Sequence, residues 1–512
     1  MRLGIGAGRC PDEICNCYAG WSPLRPDQLD DVVTPNLVEL SKIGVRLARH
    51  TSSFPSETRV SSAALATGGH SSAHGIVGNC FLANGRSIDG ASLSALLTLG
   101  SEHGGVLTAT TIGEVLTAHG RAMLSIGSQS QGSFGLSSWG SWQTGAPAFW
   151  VHDPSKFRNN AAVSRIAPRF PMLPPKEEPA RATIARVVDL FFSFLGEEAL
   201  PDVSLLWLAE PDVTYHMFGL QHPTAREVLH EVDRQFGRIL AWWSEKGEGE
   251  GVQLIAASDH GHAIIGEKVS VLDHLQRLGF KVGTELTSDV DAAITAQRVV
   301  NIWARDKESD LLAEMYHSLS EEPWFGVAFS PKAADGSPLI AGTLPLSAVM
   351  AEHPRSADLS FVLADCGAAS QSAAPDAVYY DGSYPIGVGM HGGLSAQELS
   401  SLCILAGNAF RSGVVAEPTS IVDLVPTILS SLGLPLPSTV QGRIIEEAFR
   451  DRKDSDQYDA EDASVSVASS TRRATVFREL YRQRLYLSGA AATPLAQPKN
   501  DKSDAKPAQS AV

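Results

Sequence analysis

The chain has 512 residues, 43% of them hydrophobic and 19% charged, which is ample for a large core and for more than one domain or one domain with insertions. Its formal net charge of -16 argues against general nucleic-acid binding, which needs Lys and Arg to neutralise phosphates, although a bound cation would still attract a small anionic substrate. No apolar run reaches the roughly 18 residues of a membrane-spanning helix, and MRLGIGAGRCPDEICNCYAGW lacks a signal peptide's apolar core, so a cytoplasmic location is the default expectation.

Near the start, Cys10, Cys15 and Cys17 offer a partial metal site, with no second pair to complete four ligands. The first predicted helix covers residues 34–43 (TPNLVELSKI), with Thr34 as N-cap and Pro35 at the first helical position. Short apolar runs predict buried strands at residues 122–126 (AMLSI), 203–208 (VSLLWL), 253–257 (QLIAA) and 402–405 (LCIL). Cys403, in the last of these, reads as a small buried hydrophobe. Apolar residues at helical spacing predict helices over 182–195 and 225–243, and another over 420–432 that stops before Gly433. Strands alternating with helices indicate an α/β fold with a mainly parallel sheet. Residues 266–385 break that rhythm, carry apolar runs of their own at 299–303 and 359–363, and read as an inserted subdomain. From about residue 450 the chain is charged, then rich in Ser, Ala, Pro and Lys. Residues 471–487 suit a basic amphipathic helix or a solvated extension, and residues 490–512 are expected to be disordered.

Four motifs carry candidate chemistry. In Glu210-Pro211-Asp212-Val213-Thr214-Tyr215-His216, after the VSLLWL strand, Asp212 and His216 are one helical turn apart and share a face. A carboxylate and an imidazole suit a borderline metal such as zinc, though a lone DxxxH is more often a solvated turn. Ser258-Asp259-His260-Gly261-His262 follows the QLIAA strand, where Gly261 permits a sharp turn that fans the side chains out; a capped loop needs the same residues. Gly389-Met390-His391-Gly392-Gly393 presents a His between small neighbours, open to a ligand or merely flexible. Ser56-Glu57-Thr58-Arg59 places a hydroxyl at a helix start, where free N–H groups stabilise an alkoxide and an incoming phosphate; a plain N-cap uses the same residue type.

Taken together these motifs are specific. The run TPNLVELSKIGVRLARHTSSFPSETRVSSAALATGGHSSAHGIVGN resembles the nucleophile region of the type I phosphodiesterase/nucleotide pyrophosphatase family, part of the alkaline-phosphatase superfamily and home to phosphonoacetate hydrolase. EPDVTYHMFG, LHEVDRQFGRIL, SDHGH, GMHGG and SIVDLVPTILSSLGLPLP follow in that family's order, so the resemblance covers roughly residues 24–446 apart from the insert. It implies an alkaline-phosphatase-like three-layer sandwich with a mainly parallel central sheet. The catalytic core would be residues 24–265 and 386–448, with an inserted cap subdomain at 266–385, an aberrant N-terminus at 1–23 and a charged tail at 449–512. It further implies two divalent metal ions, zinc by preference, one held by Asp212, His216 and His391 and the other by Thr58, Asp259 and His260. Thr58 would be the nucleophile and form a phosphothreonine, and Asn79 would donate its amide to a phosphate oxygen. Arg59 would add positive charge or serve structure, and His262 and His74 would be structural. The implied partner is a small phosphodiester, nucleotide pyrophosphate or phosphonate, with phosphomonoesters a close alternative.

One feature departs from the family pattern. The family opens on an apolar strand ending in Asp-Gly, which here falls at Ser22-Pro23, two residues before LRPDQL. CNCYAGW is too polar and too poorly patterned for that strand, so the centre of the sheet is expected to lack it. Either a shifted reading frame hides the true strand upstream of Leu24, or the chain has lost one metal ligand. In the second case it would bind phosphorylated ligands with little or no turnover.

Overall fold

The computed structural model of the chain describes residues 15–157, 160–173, 179–307, 310–367, 374, 377–451, 459–469 and 472–495, with 15–22 as backbone. It is an α/β fold with mixed sheets. The largest sheet has eight strands, in the order Gly413–Ser420, Val45–Thr51, Cys403–Ala406, Val252–Ser258, Cys15–Ser22, Val203–Pro211, Met123–Gly127 and Ala148–Trp150. All its pairings are parallel except those of Cys403–Ala406, which runs against both neighbours.

Side chains alternate across this sheet, and both faces are buried. Leu206, Leu208, Leu254, Ala256 and Ile404 enter one apolar cluster, together with Val187, Phe191, Val232 and Phe236 from helices Arg181–Leu195 and Pro223–Trp242. Leu205, Trp207, Ile255, Ala257 and Cys403 enter another, against Ala64, Leu65 and Val425 from helices Thr58–Thr67 and Leu424–Ser431. The four strands expected from apolar runs all lie in this sheet, and the expected helices form to within a few residues.

The first element corrects the expectation of a gap. Cys15–Ser22 forms the central strand, paired with Val203–Pro211 on one side and Val252–Ser258 on the other. Strand propensity is dominated by context, and two neighbours offering unsatisfied main-chain groups outweigh an unpromising local pattern. The strand ends with Ser22 opposite Pro211 and Trp21 opposite Ser258, so Ser22 stands beside both the Asp212 and the Asp259 turns.

Residues 282–363 contribute a second sheet of six strands, ordered Val282–Gly283, Ala292–Ala296, Val299–Ala304, Leu359–Leu363, Phe325–Ser330 and Leu344–Pro345. It has an apolar cluster of its own around Ile294, Ile302, Leu359 and Phe361. No helix among the described residues is long and apolar enough to cross a membrane.

The amphipathic helix suggested for residues 471–487 does not form. Arg472–Tyr481 and Arg484–Pro494 are paired antiparallel strands, and residues 490–494, expected to be disordered, belong to the second. Residues 496–512 lie outside the described residues. The hairpin is drawn in because it has somewhere to bury apolar surface. Val476 and Leu487 pack with Phe329, Leu394 and Leu399. Its polar anchor is Arg443, which donates to Glu447 Oε2 (2.7 Å), to the Tyr486 hydroxyl (2.9 Å) and to the Pro418 carbonyl (3.1 Å). The guanidinium also lies 4.8 Å from the centre of the Tyr481 ring, whose hydroxyl donates to Glu447 Oε1 at 2.7 Å.

Arg443→Met removes the nearest cation from the buried Glu447 carboxylate, leaving it the Tyr481 hydroxyl and Arg482, and is expected to destabilise the protein by about 3 kcal/mol, the lower end for a broken buried pair. Urea unfolding followed by circular dichroism measures this. A loss below about 1 kcal/mol, the worth of a surface pair, would show that Arg443 does not anchor the hairpin.

Candidate active site

Two loops leave the carboxyl ends of the strands on either side of the central strand, a third follows a short strand of a separate three-stranded sheet, and all three meet the Thr58 helix. Asp212 opens the helix Asp212–Phe218 directly after its strand, and His216 lies one turn on. Asp259, His260 and His262 occupy the turn after Val252–Ser258. His391 follows the short strand Gly389–Met390. Thr58 is the first residue of its helix.

Their side chains converge. Asp212 Oδ1 lies 2.9 Å from His262 Nε2, 3.3 Å from His216 Nε2 and 3.7 Å from His391 Nε2. His260 Nε2 lies 3.2 Å from Asp259 Oδ2 and 3.3 Å from Thr58 Oγ1. The two groups touch, since the His260 and His391 rings stack with centroids 3.7 Å apart. Among the described residues, ligand atoms of Asp212, His260, His262 and His391 all fall within 4.8 Å of one another.

Hydrogen bonds set the tautomers. His216 Nδ1 sits 2.8 Å from the Gly389 carbonyl, His391 Nδ1 2.8 Å from the Ser56 carbonyl, and His260 Nδ1 3.2 Å from the Gly261 carbonyl. A carbonyl only accepts, so each Nδ1 carries a proton, and Nε2 is the ring atom turned inward. His216 and His391 thus aim Nε2 at the Asp212 carboxylate, an arrangement that matches the carbonyl-anchored histidines of metal sites. The Asp/His donor set suits a borderline divalent ion such as zinc. Burial acts to raise the Asp212 carboxyl, but the charge and hydrogen bond of His216 and the hydrogen bond of His262 hold it well below the usual range. Burial, then the neighbouring His260, keeps His391 unprotonated.

Of the residues singled out in the sequence, Thr58, Asn79, Asp212, His216 and His391 line one cavity of about 820 Å³, with Asp259 and His260 packed behind Thr58. His262, read as structural, is closer to Asp212 than either His216 or His391 is; its Nε2–H donates to Oδ1 and orients that carboxylate. His74 is buried and its Nδ1 accepts from the Ile76 N–H at 3.1 Å, a turn-forming role. Asn79 is aimed: its Oδ1 accepts from the Arg59 N–H at 3.2 Å, which leaves the amide NH2 as donor. Its own N–H donates to Glu57 Oε2, and burial pushes that carboxyl up to about 7.

Other site residues gave no sequence signal. Tyr384 stacks on His216 with the rings 4.6 Å apart and 3° from parallel, and Trp150, His152 and Trp207 form cavity wall. Most consequential is Arg298, fully buried, which grips Glu398 through Nε (2.8 Å) and Nη2 (3.1 Å). Glu398 in turn accepts the N–H groups of Gly393 (2.8 Å) and Ser395 (3.2 Å), in the loop that carries His391. Gly393 is required here, because a Cβ would lie 2.5 Å from Glu398 Oε2. Burial acts to raise the Glu398 carboxyl, but the Arg298 charge and hydrogen bonds hold it below its ordinary value. Arg298→Met is expected to weaken divalent-metal binding about 10- to 100-fold, as loss of a residue that supports a candidate ligand does. Titration against a chelator, with thermal unfolding to verify the fold, measures this. An unchanged affinity in a folded variant would remove Arg298 from the support of the site.

Comparison with known proteins agrees with this picture. The family model described as type I phosphodiesterase / nucleotide pyrophosphatase matches residues 23–392. Human ectonucleotide pyrophosphatase/phosphodiesterase family member 7 is 26% identical over 247 residues, which are 47% of this chain and 46% of that protein. The chain therefore aligns with about half the length of that relative. Among solved structures, murine ectonucleotide pyrophosphatase/phosphodiesterase 5 is similar with a TM-score of 0.57 at 18% identity, covering 83% of this chain and 96% of that one. The human counterpart gives 0.58 at 17% identity, covering 86% and 100%. An inactive form of the murine protein, solved in complex with AMP, gives 0.55 at 18% identity, with coverage of 83% and 96%. The likeness to these structures is one of fold, and the family match spans well over half of the chain: it belongs to the type I phosphodiesterase/nucleotide pyrophosphatase family.

Proposed function

We propose that the chain is a two-zinc hydrolase of phosphodiesters, nucleotide pyrophosphates or phosphonates that works through a phosphothreonine. The observation that carries this reading is the convergence of Asp212, three inward-facing histidines and Thr58 at one end of a cavity of about 820 Å³. Asp212, His216 and His391 would hold one ion, and Thr58, Asp259 and His260 the other, a partition that follows the two groups of short distances. Bound ions would lower the pKa of a coordinated hydroxyl and offset charge on phosphoryl oxygens. Thr58 Oγ1, as alkoxide at the helix N-terminus, forms the bond to phosphorus while the bond to the leaving oxygen breaks. Water then cleaves the phosphothreonine and restores the hydroxyl. The Asn79 amide, fixed by the Arg59 N–H, donates to a non-bridging oxygen. In this reading the eight-stranded sheet is the centre of a three-layer sandwich, and residues 266–385 form a cap over the site.

A second reading has one specific observation in its favour. Ser22 ends the central strand between the Asp212 and Asp259 turns, the position from which the family pattern contributes an Asp. A neutral hydroxyl there offsets less metal charge, so the ion on the Thr58 side would bind more weakly and turnover would be slow.

The test measures zinc content and hydrolysis of bis(4-nitrophenyl) phosphate together. Wild type is expected to hold two zinc ions at saturation and turn the diester over, while Thr58→Ala loses roughly 1,000-fold or more in kcat and keeps the zinc bound by Asp212, His216 and His391. Ser22→Asp is expected to tighten the second zinc. Full activity in Thr58→Ala would refute the phosphothreonine route. One zinc per chain without turnover would select the second reading.

A further inference from the structure

We infer that Arg59 forms a subsite for a second anionic group on the substrate, a phosphate or carboxylate distinct from the phosphoryl group under attack. The inference rests on the phosphodiester-hydrolase reading and narrows its substrate class.

Arg59 lines the same cavity as Thr58 and Asn79. Its backbone N–H is committed to Asn79, while its half-buried side chain reaches the cavity. Among the described residues its Nε is buried without a hydrogen-bond partner. An unmet buried Nε–H is costly, and where one persists on a half-buried arginine at a cavity wall, a ligand is the natural partner. Among the described residues neither nearby carboxylate forms an ion pair or hydrogen bond with the Arg59 side chain: Asp89 Oδ1 accepts from the Ala91 N–H at 2.8 Å and Glu57 Oε2 from the Asn79 N–H, and Glu57 feels the Arg59 charge only at a distance.

The location separates this role from the reacting phosphoryl group. That group is already served by the Asp212 and His260 clusters and by the Asn79 amide. The Arg59 stem runs instead along Gly90, where a Cβ would sit 3.1 Å from Arg59 Cγ, so the guanidinium belongs to the cavity wall formed with Cys80 and Asp89. The cavity is large enough for a substrate that extends well past one phosphoryl group. A guanidinium fork matches a phosphate or carboxylate through two parallel hydrogen bonds, which an ammonium does not reproduce.

The test uses the zinc-loaded chain and three 4-nitrophenyl phosphodiesters, whose second arm is a neutral aryl group, a phosphate-ended chain or a carboxylate-ended chain. Arg59→Met is expected to lower kcat/KM about 10- to 100-fold on at least one anion-ended diester, mainly through KM, and to change the neutral diester less than about 3-fold. Arg59→Lys restores only part of the loss. The arm that responds identifies phosphate or carboxylate. Equal loss on all three substrates would assign Arg59 to the reacting phosphoryl group and overturn the inference, as would equal retention. Calorimetric binding of the same diesters to Thr58→Ala, with and without Arg59→Met, separates the two levels of argument. A wild-type preference for an anion-ended diester that Arg59→Met abolishes sustains the subsite even if the chain hydrolyses none of them. No preference refutes it even if all are hydrolysed.

Discussion

A carboxylate crowded by three imidazoles is not a stable arrangement of a protein by itself. Asp212 accepts a proton-bearing Nε2 from His262, and the Nε2 atoms of His216 and His391 converge on the same oxygen while their Nδ1 protons are committed to the Gly389 and Ser56 carbonyls. The scaffold therefore has to hold these side chains together in one small volume, and much of its architecture is explained by that task. Parallel strands deliver their loops to one edge of the sheet, so residues far apart in sequence arrive at one place. Ser56 then ties two of those arrivals together. Its Oγ donates to the Gly393 carbonyl at 2.9 Å and accepts from the Gly392 N–H at 3.1 Å, two residues before Thr58 on one side and directly after His391 on the other.

The central strand shows what a sequence pattern can and cannot convey. The strands of Val203–Pro211 and Val252–Ser258 announce themselves because both of their faces are buried in apolar clusters. Cys15–Ser22 does not, because its place is dictated by main-chain groups of those two neighbours, which no local pattern encodes. The same limit hid the C-terminal hairpin. Arginines at 472, 473, 478, 482 and 484 among apolar residues look like a basic helix face, yet Arg478 Nη1 reaches the Ala348 carbonyl at 3.0 Å and Val476 is fully buried, both through contacts with residues far away in the chain.

The candidate site was the more legible part. Asp, His and Thr at the ends of apolar runs, in a fixed order, are visible one at a time, and Asp212, His216, Asp259, His260, His391 and Thr58 could each be named that way. The role of His262 was not, because its value depends on an oxygen 50 residues earlier that it reaches only in the folded chain. Glu57, Arg298 and Glu398 were silent for a related reason. Buried charges read as surface residues until their partners are known, and those partners lie across the molecule.

Arg298 also changes what the six-stranded sheet is for. It precedes the strand Val299–Ala304, and its Nη1 donates to the carbonyls of Leu363 (2.7 Å) and Tyr379 (2.6 Å) while its other nitrogens grip Glu398. The end of Leu359–Leu363, the strand Ala377–Tyr380 and the His391 loop thus share one fully buried ion pair. Such a pair tolerates little displacement, because moving either partner leaves the other charged and unsolvated. A segment that served only to select substrates would need no such bond to the His391 loop. The six-stranded sheet is better understood as part of the scaffold that positions His391, and changes in it that favour new substrates are constrained to leave the Arg298–Glu398 geometry intact.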